Sequence, residues 1–357
     1  MAAIPFQVEK YAAISAVVRA CALTMSVFNR LVKSETVTKD DKSPVTVADY
    51  SAQAVVNTIL AHAFPNDPIV GEEDASDLRK PEGALLRERI VELANEALTG
   101  IVADKENVNW GLGKARSSHE LLDAIDRGNY AGGPVGRMWA LDPIDGTKGF
   151  LRGEQYAVCL ALIVDSIVQV GVIGCPNLHV DVSKPDGERG TMFVAVRGQG
   201  AQQLSLSSPY GDGIPLRISS HSPLSSIRFL ESVEAAHSAH GFNARVAAVL
   251  GTSQSPNRMD SQAKYCVLSR GVEGDVYLRM PVPGMGYQEK IWDHASGALL
   301  IQEAGGIVSD SLGRPLNFGS GRTLGENFGV VATSIDIHPK IIHAIRQVQD
   351  EEKIGKF

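Results

Sequence analysis

Residues 138–150, MWALDPIDGTKGF, place Asp142, Asp145 and Thr147 close together in a chain whose net charge is already −7. Asp-Pro and Asp-Gly are ordinary turn chemistry, so this stretch alone reads as a capped turn. Three further acids change the balance. Asp49 stands at the head of a helical run (Ala52, Val55, Val56, Ile59, Leu60, Ala63), Glu72 follows the short apolar segment of PIVGEED, and Asp293, behind Trp292, precedes another apolar run. Each acid taken singly has a plain structural use, because carboxylates satisfy free N–H groups and the dipole at helix starts. Together they stand at the ends of elements, where open active sites are built. If they converge, their repulsion is severe unless cations intervene. Mg²⁺ prefers hard oxygen ligands and is commonly held by a few carboxylates, water and a substrate phosphate. The spacing therefore predicts a magnesium cradle that bridges an acidic protein to a phosphate ester.

One near-match is excluded by counting. Phosphatases with an aspartyl nucleophile carry D-x-D-G-T, whereas here Asp142 and Asp145 are separated by two residues. In a regular strand an i,i+2 pair shares a face and an i,i+3 pair does not. The longer spacing favours a turn that holds metal over a covalent mechanism.

The elements that must position these groups are partly readable. The pattern predicts an amphipathic helix over 6–33, a polar loop at TKDDKSPVT, and a helix that begins near Asp49 and stops at Pro65. RMWALD reads as a strand delivering Asp142 at its end. SSHE (117–120) is a capping box before a helix. Residues 155–176 read as a buried hairpin that breaks at Asp165-Ser166. MFVAVRGQGA is a strand and turn, and the Ser-, Gly- and Pro-rich stretch 203–226 marks a domain boundary. A helix is expected from Asp293 to Ala304, ended by Gly305-Gly306. GIVSDSLGRPLNF suggests a hairpin, GVVATS a strand, and a helix closes the chain. Irregular alternation of strands and helices suggests mixed α+β layers, not a doubly wound sheet.

The bulk composition narrows the function classes. With 357 residues, 44% hydrophobic and 21% charged, the chain can build a substantial core, in one large domain or two of medium size. An isoelectric point near 5.7 disfavours nucleic-acid binding. The four cysteines (Cys21, Cys159, Cys175, Cys266) include no C-x-x-C pair, so a reduced compartment fits best. Glu9 and Lys10 interrupt the apolar N-terminus, which makes it a poor signal peptide, and no run approaches the ~20 apolar residues of a membrane span. A cytoplasmic protein without membrane or nucleic-acid partners is expected.

IVGEED, DPIDGT and WDHASG, in that order, resemble the motifs of the inositol monophosphatase family of magnesium-dependent, lithium-sensitive phosphomonoesterases. The resemblance spans nearly the whole chain and implies the layered αβαβα sandwich shared with fructose-1,6-bisphosphatase. It implies an N-terminal α+β domain over 1–214 with most metal ligands, and a C-terminal α/β domain over 215–357 with Asp293. It also implies roles. Glu72, Asp142 and the Ile144 carbonyl would share one Mg²⁺; Asp142, Asp145 and Asp293 a second; and a third, looser ion would lie near Asp49 and Glu72. Thr147 and Asp49 would act as a dyad on the attacking water, with metals supplying charge stabilisation for direct in-line attack.

Substrate choice must come from the second half. SPVTVADYSAQ, LDPIDGTKGFLRGEQYAVCLALIVD, DSQAKYC and YQEKIWDHA are similar to the fungal members that remove the 3′-phosphate from adenosine 3′,5′-bisphosphate, and by extension from 3′-phosphoadenosine 5′-phosphosulfate. Simple inositol monophosphatases have G-S-A-A where this chain has Asp260-Ser261-Gln262-Ala263-Lys264. The resemblance implies that Asp142, Asp145, Thr147, His240, Ser261, Lys264, Arg279 and Asp293 contact the nucleotide, with the 5′-phosphate near Lys264. His237 competes with His240 for the nucleoside contact. An inositol phosphate phosphatase is the alternative, and a non-catalytic metal or nucleotide sensor a remote one. The resemblance further implies inhibition by Li⁺, and by Na⁺, a role in clearing a by-product of sulfate assimilation with a bearing on salt tolerance, and a monomer.

Overall fold

The computed structural model describes residues 4–33, 43–100, 110–218, 223–234, 239–281 and 288–354. The first half runs α1 (Gln7–Lys33), α2 (Ser43–Ala63), β1 (Ile69–Gly71), α3 (Ala84–Thr99), α4 (Ser118–Asp126), β2 (Arg137–Asp145) and α5 (Thr147–Arg152). It continues with β3 (Ala157–Val164), β4 (Ile167–His179), β5 (Arg189–Val196), β6 (Ala201–Ser205) and β7 (Ile214–Pro215). The second half comprises β8 (Phe229–Glu231), α6 (His240–Val249), β9 (Asn257–Arg258), α7 (Ala263–Arg270), β10 (Val276–Arg279), α8 (Ala295–Glu303), β11 (Gly306–Ser309), β12 (Val330–Ser334) and α9 (His338–Ile354).

Strands β1 to β7 form one sheet in sequence order; β1 and β2 are parallel and the other pairs antiparallel. The second sheet has the order β11-β12-β10-β8-β9 and is mixed. Side-chain alternation explains the layering. From β2 and β3, Trp139, Leu141, Leu160 and Leu162 pack with α1 to α4, whereas Met138, Ala140, Cys159 and Ala161 face α7 and α8. Helices α7 and α8 also cover Tyr277, Val308 and Val330 of the second sheet. Its far face, with Phe229, Leu278 and Val331, packs on Val246 of α6 and on Ile341 and Ile345 of α9. The result is the expected five-layer αβαβα sandwich. Each fully buried Val, Leu or Ile stabilises it by about 1.5–3 kcal/mol.

Two glycines on β4 allow helices to approach the sheet from opposite sides. A Cβ on Gly174 would meet the Cys21 Sγ of α1, and one on Gly171 would lie 2.9 Å from the Ser296 carbonyl of α8. By length and composition α1 could cross a membrane, contrary to the expectation from apolar runs, but 78% of its apolar window is buried in this fold. Its buried face is Ala12, Ala13, Ala16, Val17 and Ala20.

Several local expectations are met. Ser117 and Glu120 form the capping box, with Glu120 N–H donating to Ser117 Oγ (3.3 Å) and Ser117 N–H to Glu120 Oε2 (2.7 Å). The hairpin turns at Asp165 and Ser166, both at positive φ (48° and 66°), as a tight type I′-like turn requires. Others need correction. Helix α2 begins at Ser43, so part of the supposed loop is helical and Asp49 lies in its second turn, not at its start. Strand β2 continues past Asp142 to Asp145. Helix α8 begins at Ala295, leaving Asp293 in the turn before it. In GIVSDSLGRPLNF only the first arm is a strand; it pairs with β12 instead.

Candidate active site

The Asp142–Asp145 pair is made by a β-bulge. Asp142 lies opposite Cys159 and Asp145 opposite Ala157, so three steps on β2 match two on β3. Cys159 and Ala157 share the face toward α7 and α8, and the extra residue turns both aspartates onto it. The Ile144 side chain goes the other way, into the α1–α4 core. Strand β1 pairs in parallel with Gly71 beside Leu141, which brings Glu72 level with Asp142. A buried Gln53 of α2 fixes the chain beyond Glu72: its Nε2 donates to the Glu73 carbonyl (2.6 Å) and its Oε1 accepts the Glu73 N–H (3.1 Å). Asp293 comes from the second half. The preceding Trp292 carbonyl accepts from Gln262 Nε2 (2.7 Å), while the Gln262 N–H donates to Asp145 Oδ2 (2.5 Å). Gln262 thereby ties the two acids to each other.

These groups line a cavity of about 270 Å³ with Glu72, Asp142, Ile144, Asp145, Thr147, Ser261, Lys264, Arg279 and Asp293 on its walls. A larger depression of about 540 Å³ near α6 and α9 carries Arg245 but, among the described residues, no carboxylate. Asp49 lies buried behind the cleft. Oxygens of Asp49, Glu72 and Glu73 fall within 4.8 Å of one another, where each ionised pair repels by about 3 kcal/mol. Burial first, then repulsion from Glu72 and Glu73, pushes the Asp49 carboxyl well above its usual range. Burial and repulsion from Glu72, Asp145 and Asp293 do the same to Asp142. Asp145 is pushed to about 7 by burial and by Asp293, against the pull of Lys264 and the Gln262 N–H. Glu72 keeps an open surface toward the cleft, yet the crowding walls and the Asp293 and Glu73 charges push it to about 8.

Asp49 Oδ1 and Asp142 Oδ1 are buried with no hydrogen-bond partner among the described residues. Buried acceptors left unsatisfied are costly, and here they sit among carboxylates that repel one another. This donor set is all oxygen, with the Ile144 carbonyl at the bulge, and fits hard divalent cations.

The opposite wall is built differently. Arg279 makes a bidentate pair with Glu289, Nε to Oε1 at 2.9 Å and Nη2 to Oε2 at 2.8 Å. His294 Nε2 lies 3.0 Å from Glu289 Oε2, and its Nδ1 lies 2.8 Å from the Tyr265 hydroxyl. Burial works against the Glu289 charge, but Arg279 and His294 outweigh it and hold its carboxyl at about 2. Lys264 Nζ donates to the Met259 and Ser261 carbonyls (3.0 and 2.8 Å) and lies 5.3 Å from the Tyr277 ring centroid. Burial lowers its ammonium to about 8, despite Asp145. Ser261 has φ +67°, uncommon for a non-glycine residue. Its Oγ accepts the Ala263 N–H (3.1 Å), which leaves the hydroxyl proton to donate elsewhere. Arg152 of α5 holds this turn by pairing with Asp260, and bonds Glu234 at 2.5 Å.

The structure thus brings Glu72, Asp142, Ile144, Asp145, Thr147, Ser261, Lys264, Arg279 and Asp293 to one cleft, with Asp49 beneath it. Thr147 opens α5, and its hydroxyl lies 3.4 Å from the Ile144 carbonyl. His240 does not line the cavity; its Nε2 lies 2.9 Å from the carbonyl of Ser232, which does. His237 falls outside the described residues. Gln53, Glu73, Arg152, Gln262, Glu289 and Arg322 were not found from the sequence. Glu73 had a signal, as the second acid of GEED; Gln53, Arg152, Gln262 and Arg322 bond groups distant in the chain, and Glu289 bonds Arg279 and His294, ten and five residues away.

The fold and cleft define a phosphatase class, and the inositol monophosphatase family pattern matches residues 7–350. The chain belongs to that family, whose cleft chemistry is metal-dependent phosphate-ester hydrolysis. It is 48% identical over 352 residues to "3'(2'),5'-bisphosphate nucleotidase" of Schizosaccharomyces pombe, covering 97% of each chain. It is also 48% identical over 357 residues to the protein of that name from Emericella nidulans, covering 96% of this chain and 99% of the other. Among solved structures, the inositol monophosphatase from Anabaena (Nostoc) sp. PCC 7120 aligns with a TM-score of 0.57 at 20% identity, covering 96% of this chain and 97% of that one. CysQ from Bacteroides thetaiotaomicron aligns at 0.56 and 19%, covering 92% and 98%. Both show a common fold.

Proposed function

We propose that this chain is a Mg²⁺-dependent 3′(2′),5′-bisphosphate nucleotidase. It removes the 3′-phosphate of adenosine 3′,5′-bisphosphate, giving AMP and phosphate, and takes 3′-phosphoadenosine 5′-phosphosulfate in the same way. The carrying observation is the two-sided cleft, with under-neutralised carboxylates on one wall and Lys264 and Arg279 on the other. Relatives that cover nearly all of the chain bear this activity's name.

Glu72, Asp142, Asp145, Asp293 and the Ile144 carbonyl would hold two Mg²⁺ ions, with Asp49 and Glu72 at a third. When bound, the ions supply charge neutralisation and Lewis acidity for the phosphoryl oxygens. Thr147 orients the attacking water through its hydroxyl, and Asp49, as the carboxylate it would be once cations neutralise its neighbours, accepts the proton. Ser261 donates to the substrate's second phosphate, and Lys264 and Arg279 face its charge. His240, whose ring is held at the Ser232 carbonyl outside the cavity wall, would meet the nucleoside only where it projects beyond the cleft. Attack is direct, so the work of the side chains is orientation and electrostatic stabilisation. Residues 1–214 supply most metal ligands and 215–357 the nucleotide contacts. Li⁺ inhibits by competing for an acid-lined position, and the enzyme acts as a monomer.

Phosphate release is to be measured side by side on adenosine 3′,5′-bisphosphate, the 5′-phosphosulfate, AMP and inositol phosphates, with and without Mg²⁺ and Li⁺. The bisphosphate is expected to turn over fastest and only with Mg²⁺. Equal or faster release from inositol phosphates refutes the substrate assignment; release without a divalent cation refutes the metal assignment.

A further inference from the structure

Arg322 stands in neither wall of the cleft, yet it grips the chain beside both. Its Nη1 donates to the carbonyls of Gly128 (2.9 Å) and Tyr130 (3.0 Å), and its Nη2 donates to that of Gly71. Gly71 ends β1 and immediately precedes Glu72. Its guanidinium carbon lies 4.8 Å from the centroid of the Trp292 ring, and Trp292 immediately precedes Asp293. The main chain is tied in as well: the Ile291 N–H donates to the Arg322 carbonyl (3.1 Å), and the Leu324 N–H to that of Glu289 (2.8 Å). The Gly71 N–H shares the Gly128 carbonyl at 2.8 Å, so the strand end carrying Glu72 is held from two directions.

Glu72 and Asp293 come from opposite halves of the chain and line the same cleft. Something must fix their separation before any cation arrives. Arg322 contacts the residue in front of each acid at once. Three carbonyl acceptors and an aromatic face match a planar fork with a π surface; a lysine ammonium offers neither the reach nor the plane. We propose that Arg322 is a positioning residue that sets the gap between the Glu72 and Asp293 carboxylates, and through it the affinity of the cleft for Mg²⁺. This rests on the metal assignment proposed above.

The test is Mg²⁺ binding by calorimetry on the full chain, beside phosphate release at graded Mg²⁺. Arg322→Met is expected to raise the Kd for Mg²⁺ by ~10–100-fold, the usual cost of losing a residue that orients a metal ligand. The Mg²⁺ concentration for half-maximal release should rise by the same factor, and saturating Mg²⁺ should return kcat to within ~3-fold of the unaltered enzyme, as expected when binding and not chemistry is lost. Arg322→Lys should recover little of the affinity, and methylguanidinium added to Arg322→Ala should restore part of it. An unaltered Kd in folded Arg322→Met overturns the proposal, as does a kcat loss that no Mg²⁺ concentration repairs. If the unaltered protein takes up no Mg²⁺, the metal assignment itself falls and this inference with it. Should Arg322→Met not fold, Trp292→Leu removes the stacked face alone; a smaller rise in Kd supports the proposal, and none sinks it.

Discussion

The two walls of the cleft solve opposite electrostatic problems. On the first-sheet side, carboxylates face one another, and two buried oxygens lack partners among the described residues. On the other side the charged groups are held by partners inside the protein: Glu289 by Arg279 and His294, and the Lys264 ammonium by two carbonyls. The acid wall is incomplete without something from solution, whereas the basic wall is finished before any ligand arrives. Preorganised groups lose little on binding, so the basic wall is suited to recognition. The acid wall stores repulsion that cations relieve, which suits it to chemistry.

If that contrast is right, damage to the two walls should read out differently. Asp145→Asn should lower kcat on every phosphate ester by on the order of 10³, the scale of a lost transition-state contact; near-normal initial rates at saturating Mg²⁺ would break the contrast outright. Glu289→Ala strands Arg279 and His294 and should destabilise the protein by about 3 kcal/mol or more, the cost of breaking a buried pair, read by urea unfolding. Lys264→Ala should raise KM for adenosine bisphosphate by ~10–100-fold, as for a lost charge-assisted hydrogen bond, and leave a monophosphate unaffected. Equal losses on both substrates would remove Lys264 from second-phosphate recognition.

The smallest effect concerns pH. Glu72 and Asp145 hold their protons to about 8 and about 7 in the folded chain, above the ~4 of an unfolded carboxyl. Between those values the folded state binds more protons, so stability falls as pH rises. Metal-free protein should therefore melt a few degrees lower at pH 8 than at pH 6, and Mg²⁺ should remove the difference by binding only the folded form. A melting temperature that climbs over this range without metal would show the acid wall to be neutralised internally.

The chemistry was more legible in the sequence than its supports. Asp142, Asp145, Glu72 and Asp293 announce themselves because each stands beside an apolar run or in the turn that ends one. The start of α2 was missed, although Ser43-Pro44 is a serviceable helix opening; the surrounding polar residues masked it. Arg322, Glu289, Gln53 and Gln262 were illegible for a deeper reason. Their partners are backbone groups or charges brought near only by the folded chain; Arg322 and Gly71 lie 251 residues apart. Periodicity reports which face of an element is apolar, not which carbonyl a distant arginine will find.

The bulge in β2 has one more implication. Because the extra residue breaks the ladder, the oxygen it exposes at position 144 belongs to the peptide bond and not to a side chain. Replacing Ile144 by another residue that fills the helical core leaves that donor in place. This part of the cleft can therefore drift in amino-acid identity while keeping that oxygen, and only a change in chain length there would remove it.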